Sequence, residues 1–115
     1  MHIDFSSSER TSLGVEWELE LVDLDTHELT GVSNIVLAEL SPDGGEHPKA
    51  KHELLQSCIE VITGVCGTVA EAKAEVADTV AQVAEVAGAH GAGLMCSGTH
   101  PITDWSTQRV TEDPR

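Results

Sequence analysis

The run Gly14-Val15-Glu16-Trp17-Glu18-Leu19-Glu20-Leu21 alternates apolar and acidic residues without a break. A period of two belongs to a β-strand, whose successive side chains point to opposite faces. A strand here buries Val15, Trp17, Leu19 and Leu21 on one face and lines up Glu16, Glu18 and Glu20 on the other. Like charges along one strand face repel, and a purely structural strand gains more from mixed signs or threonine. A cation that gathers the carboxylates is one reason for the pattern. The water-facing side of a half-exposed antiparallel strand is the other.

The strand must belong to a small unit, because 115 residues make one domain at most and only a modest core. Phe5, Trp17 and Trp105 are the sole aromatics, so that core is built from Val, Leu, Ile and Ala, with a thin stability margin that burial against a partner would widen. Twenty Asp and Glu stand against six Lys and Arg. Such a balance argues against nucleic acid as a partner, since phosphate neutralisation needs the opposite sign. It also keeps a protein soluble at high salt. A bound phosphate would need a bridging Mg²⁺. Cys58, Cys66 and Cys96 form no CxxC pair and fit buried thiols in a reducing compartment, hence the cytoplasm. The N-terminal MHIDFSSSERTS lacks the apolar core of a signal peptide, and no run approaches membrane-spanning length, so no membrane association is expected.

Along the chain, the first strand is expected from about Ser12 to Asp23, with turn chemistry at Asp25, Thr26 and His27. A hairpin return over Leu29 to Leu37 is weakened by Gly31, Ser33 and Asn34, which leaves residues 34–40 open to a helical turn. Residues 41–48, SPDGGEHP, are a loop. Cys58 to Thr63 is β-branched enough for a second core strand. Thr68 with Glu71 makes a capping box ahead of a long helix, striped by Val69, Ala72, Val76, Val80, Val83 and Ala87 and ending near Gly88 or Gly91. Ala92 to Cys96 returns as a short strand, and residues 98–115 are polar and irregular. The resulting class is α+β, an antiparallel or mixed sheet with one long amphipathic helix packed on it, in a single partial domain.

Two further places carry chemistry. Glu60 is flanked by Cys58, Ile59, Val61 and Ile62, and a carboxylate inside an apolar run needs a compensating cation or Arg. Glu53, between His52 and Leu54, reads by itself as a solvated residue. Gly98 and Pro101 bracket Thr99 and His100 in a turn after a core strand, a sensible place for ligand contacts. The competing account is a structural turn in which His100 caps a backbone carbonyl.

Taken together and in order, GVEWELEL, KHELLQSCIEVITGVC and SGTHPITDWSTQRVTEDPR resemble the carboxylate-amine ligase family, also called type 2 glutamate-cysteine ligases, over about residues 5–115. The resemblance implies part of a glutamine-synthetase-like catalytic domain. It implies an ATP-dependent, Mg²⁺-requiring ligase joining the side-chain carboxyl of glutamate to an amine, typically that of cysteine, through an acyl phosphate. That is a step of glutathione-like thiol biosynthesis. Carried over to this chain, Glu16 and Glu18 fall on the metal-holding strand, and Glu53 and Glu60 on the acidic positions of the second segment. Thr99 and His100 are expected at substrate or nucleotide. Arg109, with Gln108 beside it, is expected to hold an ATP phosphate or a carboxylate by paired hydrogen bonds. Trp17 stands where relatives often carry another acid, and Ile102 where an aromatic is common. Family members continue several-fold further, so the leading expectation is an N-terminal piece unable to complete catalysis alone. The alternatives are an acidic module that binds divalent cations or a partner without catalysis, and a split enzyme completed by another chain or by a second copy.

Overall fold

The architecture is that of a computed structural model, which describes residue 7 and residues 9–41 and 43–112. Most of the N-terminal segment read above as lacking a signal peptide, Phe5 included, lies outside the described residues. Four strands, β1 (Glu16–Asp23), β2 (Ala50–His52), β3 (Cys58–Ile62) and β4 (Ala92–Met95), form one sheet in the order β2-β3-β1-β4. Every pairing is antiparallel. Two helices, α1 (Ser33–Leu40) and α2 (Val69–Ala89), cover one face.

The pleat of β1 puts Leu19 and Leu21 in the core as the alternation predicts. Val15 is only half-buried and Trp17, also expected to be buried, is exposed, because both border an open groove. Leu19 and Leu21 join Ile59, Val61 and Ala50 from the neighbouring strands beneath Val36 and Leu37 of α1 and Val83 and Ala87 of α2. The opposite face carries the glutamates, and among the described residues no α-helix covers it. Antiparallel sheets commonly leave one face uncovered in this way.

Helix α2 begins as its sequence dictates. The Thr68 hydroxyl oxygen accepts a hydrogen bond from the Glu71 backbone N–H at 3.1 Å, and the Glu71 carboxylate accepts one from the Thr68 N–H at 3.2 Å, closing the capping box. It stops at Ala89, and Gly91 follows in the left-handed region at φ +71, a conformation that costs glycine little. Of the expected stripe, Ala72, Val83 and Ala87 are buried, Val76 and Val80 half-buried, and Val69 exposed. Thr79, between Val76 and Val83 on the packed face, is buried too, and its hydroxyl is satisfied by donating to the Glu75 carbonyl at 3.0 Å.

Three elements differ from the sequence-based expectation. The hairpin return shrinks to one bridge, Leu29 to Val22, after which the chain turns into α1. Val32, Val36, Leu37 and Leu40 have helical spacing and all pack on the core, which outweighs the strand-like local composition. Strand β2 was not expected, since three residues at a sheet edge carry no readable period. Residues 98–112 lack long elements but are tied down, with a short 3-10 turn at Trp105–Thr107 and a bridge from Val110 to Leu55.

Candidate active site

The register of β1 on β3 sets Glu18 directly opposite Glu60, and Glu20 opposite Cys58. Opposed residues in an antiparallel pair share a face, so Glu16, Glu18, Glu20, Glu60 and Cys58 all project from the helix-free side. Glu53 follows the end of β2 and comes close enough to act on Glu60. Burial foremost, then the charges of Glu16, Glu53 and Glu18, pushes the Glu60 carboxyl above its ordinary value. The expected cation beside Glu60 is not Lys51, although Lys51 is its cross-strand partner in β2. The Lys51 ammonium pairs with Glu46 at 3.1 Å instead. Among the described residues, no three His, Cys, Asp or Glu side chains are gathered tightly enough to hold a metal ion. The four expected metal ligands thus share one face and one electrostatic field without converging on one point.

Half of this face is roofed. Past β4, the Ser97 hydroxyl donates to Glu20 Oε2 at 2.6 Å, and the chain then crosses above β1. This crossing buries Glu20, whose position in the alternation looked no different from its neighbours. Beneath the roof is a cavity of about 350 Å³ whose walls include Glu18, Glu20, Glu53, Cys58, Thr99 and His100. Burial, followed by the Glu20 charge, raises the Cys58 thiol pKa and keeps it protonated.

His100 holds the roof in place. Its Nδ1 accepts from the backbone N–H groups of Ile102 and Thr103, at 3.2 and 2.9 Å, so the ring proton sits on Nε2, which donates to the His27 carbonyl at 2.9 Å. The ring edges the cavity while both nitrogens are engaged inside the protein, the carbonyl-capping arrangement raised above. Thr103 adds a second tie, accepting from the Leu29 N–H at 3.0 Å. Thr99 is exposed and lines the cavity. Arg109 is exposed too, but its side chain does not contribute to the cavity wall. Its carbonyl accepts from the Gln56 N–H at 2.9 Å, anchoring the end of the chain alongside residues 54–56. Trp105, at the end of the segment from Ser97 expected to carry ligand contacts but not singled out within it, stands exposed at the cavity rim.

The glutamate-cysteine ligase family 2 profile matches residues 12–115. The chain belongs to glutamate-cysteine ligase family 2. It is 54% identical over its full length to a Frankia alni protein provisionally named glutamate–cysteine ligase 2-1, covering 31% of that protein. A Frankia casuarinae protein of the same provisional name is 55% identical, again over the whole chain and 31% of its own length. A Thermobifida fusca protein provisionally named glutamate–cysteine ligase 2 is 45% identical over the whole chain and 29% of its length. The chain thus spans about three tenths of these family members, corresponding to their N-terminal portion. Among the described residues, no helix is long and apolar enough to cross a membrane.

Proposed function

We propose that this chain supplies the carboxylate face of an ATP-dependent ligase that joins the side-chain carboxyl of glutamate to an amine, cysteine being the acceptor suggested by the relatives' names. The observation that carries the reading is Glu18 facing Glu60 across two central strands, with Glu16 and Glu53 adding to the same negative field. Such a concentration of like charge costs stability unless a cation is its purpose.

The donor set fits Mg²⁺, which takes hard carboxylate oxygens alongside water and phosphate. Directly opposed residues have Cβ atoms about 4.5–5.5 Å apart, so Glu18 and Glu60 can meet on one ion by rotating their own side chains. Glu16 and Glu53 complete or screen the set. When bound, Mg²⁺ neutralises phosphate oxygens that these carboxylates would otherwise repel.

The remaining residues position substrates. Thr99 offers its hydroxyl to an amino-acid substrate in the cavity, and His100 fixes the loop that presents it. Arg109 reaches an ATP phosphate from outside the present cavity wall. In the reaction, a glutamate carboxylate oxygen takes the γ-phosphoryl group and ADP leaves. The amine nitrogen then bonds to the acyl carbon, phosphate departs, and the nitrogen loses its proton. The glutamine-synthetase-like catalytic domain belongs to the same reading.

A chimera of the Frankia alni relative carrying this chain in place of its matching portion tests the proposal. Glutamate- and amine-dependent ADP formation should fall at least about 100-fold with Glu18→Gln or Glu60→Gln, and remain near wild type with the exposed Glu112→Gln. Unchanged turnover in both site variants would leave a cation- or partner-binding module without catalysis as the reading.

A further inference from the structure

We infer that the open edge of β1 and the apolar groove beside it form a docking surface for the downstream segment of a family 2 ligase, whether joined to this chain or separate. Strand β1 is central in the sheet, yet β4 pairs only with Glu20 through Asp23. Among the described residues, Glu16 through Leu19 are paired with β3 alone, which leaves their other edge without a partner strand. An interior strand with half an edge unpaired is a template for another strand.

Beside that edge, on the helix side of the sheet, α2 stands away from β1 over its N-terminal half. The gap is an apolar groove of about 510 Å³ between Val15 and Trp17 of the strand region and Val69, Val76, Ala77 and Val80 of the helix. Val69 is 74% exposed and Trp17 37%. A strand added at the edge would alternate side chains between this groove and the carboxylate face. The same segment would therefore bury apolar surface and bring residues to the site.

A second copy of the chain fits this edge poorly. A two-fold axis that extends the sheet keeps each face on its own side, so any such self-pairing sets even-numbered residues against even-numbered ones. Across residues 16–19, these are Glu16 and Glu18. Glutamate would face glutamate between two chains each of net charge −14. The relatives offer a different occupant, because about seven tenths of their length lies outside the match.

The test co-expresses this chain, untagged, with the tagged portion of the Frankia alni relative that follows the match. Val69→Asp combined with Ala77→Lys keeps the net charge, and both sites suit the fold: acidic residues favour a helix's first turn, and lysine is a good helix former. The wild-type chain should co-purify in equal amount, with the amides of Glu16 and Glu18, which point away from β3, newly protected from hydrogen exchange. The double variant, shown folded by circular dichroism, should lose at least about tenfold of the captured chain. Val65→Asp, equally apolar and exposed but outside the groove, should lose none. No capture of wild type, equal capture of the double variant, or a homodimer protected at the Glu16 and Glu18 amides would each overturn the inference. Capture requires neither ATP nor metal and should survive Glu60→Gln, so its failure is separable from failure of the ligase reading.

Discussion

Glu60 is the residue whose chemistry is most out of place for a purely structural sheet. Its carboxyl is pushed above the ordinary 4.5, so the folded chain binds a proton more readily than the unfolded chain. Ionisation therefore opposes folding: the penalty is complete above the raised pKa and disappears below 4.5. In EDTA at pH 7, Glu60→Gln should raise Tm by the equivalent of about 0.2–1 kcal/mol, the scale of a cross-strand pair. At pH 4 the gain should vanish, and a Tm unchanged or lowered at pH 7 would contradict the assignment. His100 makes the opposite prediction. His100→Ala strands two backbone N–H groups and a carbonyl, and should cost about 2 kcal/mol in urea unfolding. An effect below about 0.5 kcal/mol would mean that the roof is not held by this ring.

At the scale of elements, α2 and β1 were legible because their signals are local and periodic. The box at Thr68 and Glu71 could be read directly, and it closes as written. Thr68→Ala should lower stability by about 1 kcal/mol in a thermal melt, whereas no change would show that packing alone sets the helix start. Helix α1, which the sequence left open between a return strand and a helical turn over residues 34–40, and strand β2, which it did not signal, share a reason. Each is decided by what it packs against: α1 by burial of Val36 and Leu37, and β2 by its ladder to β3. A tether of the same kind joins β3 to α2, where Glu75 accepts from the Gly64 N–H at 2.8 Å and pairs with Lys49 at 3.0 Å. Those partners, the backbone donor first, lower the Glu75 pKa, so the tether contributes above 4.5 and is lost as pH falls through the lowered value.

For the whole molecule, the sequence disclosed which face would be acidic but not how the site is enclosed. The alternation in GVEWELEL was enough to put Glu16, Glu18 and Glu20 on one side, and the apolar flanks of Glu60 marked it as unusual. That Glu18 lies opposite Glu60 depends on strand register, which neither strand encodes alone. The turn at Gly98 and Pro101 and the capping role of His100 could be read locally, but burial of Glu20 beneath Ser97 depends on where that segment crosses, which has no local signature. Under the proposed function, the sheet and the roof together make a carboxylate site for a cation. Paramagnetic titration of the ¹⁵N-labelled chain with Mn²⁺ tests this most directly. Amide signals at residues 16–20, 53 and 58–60 should broaden first, recover on adding excess Mg²⁺, and resist broadening in the Glu18→Gln, Glu60→Gln double variant. Broadening spread evenly over the acidic surface, or unaltered by those two substitutions, would contradict the account.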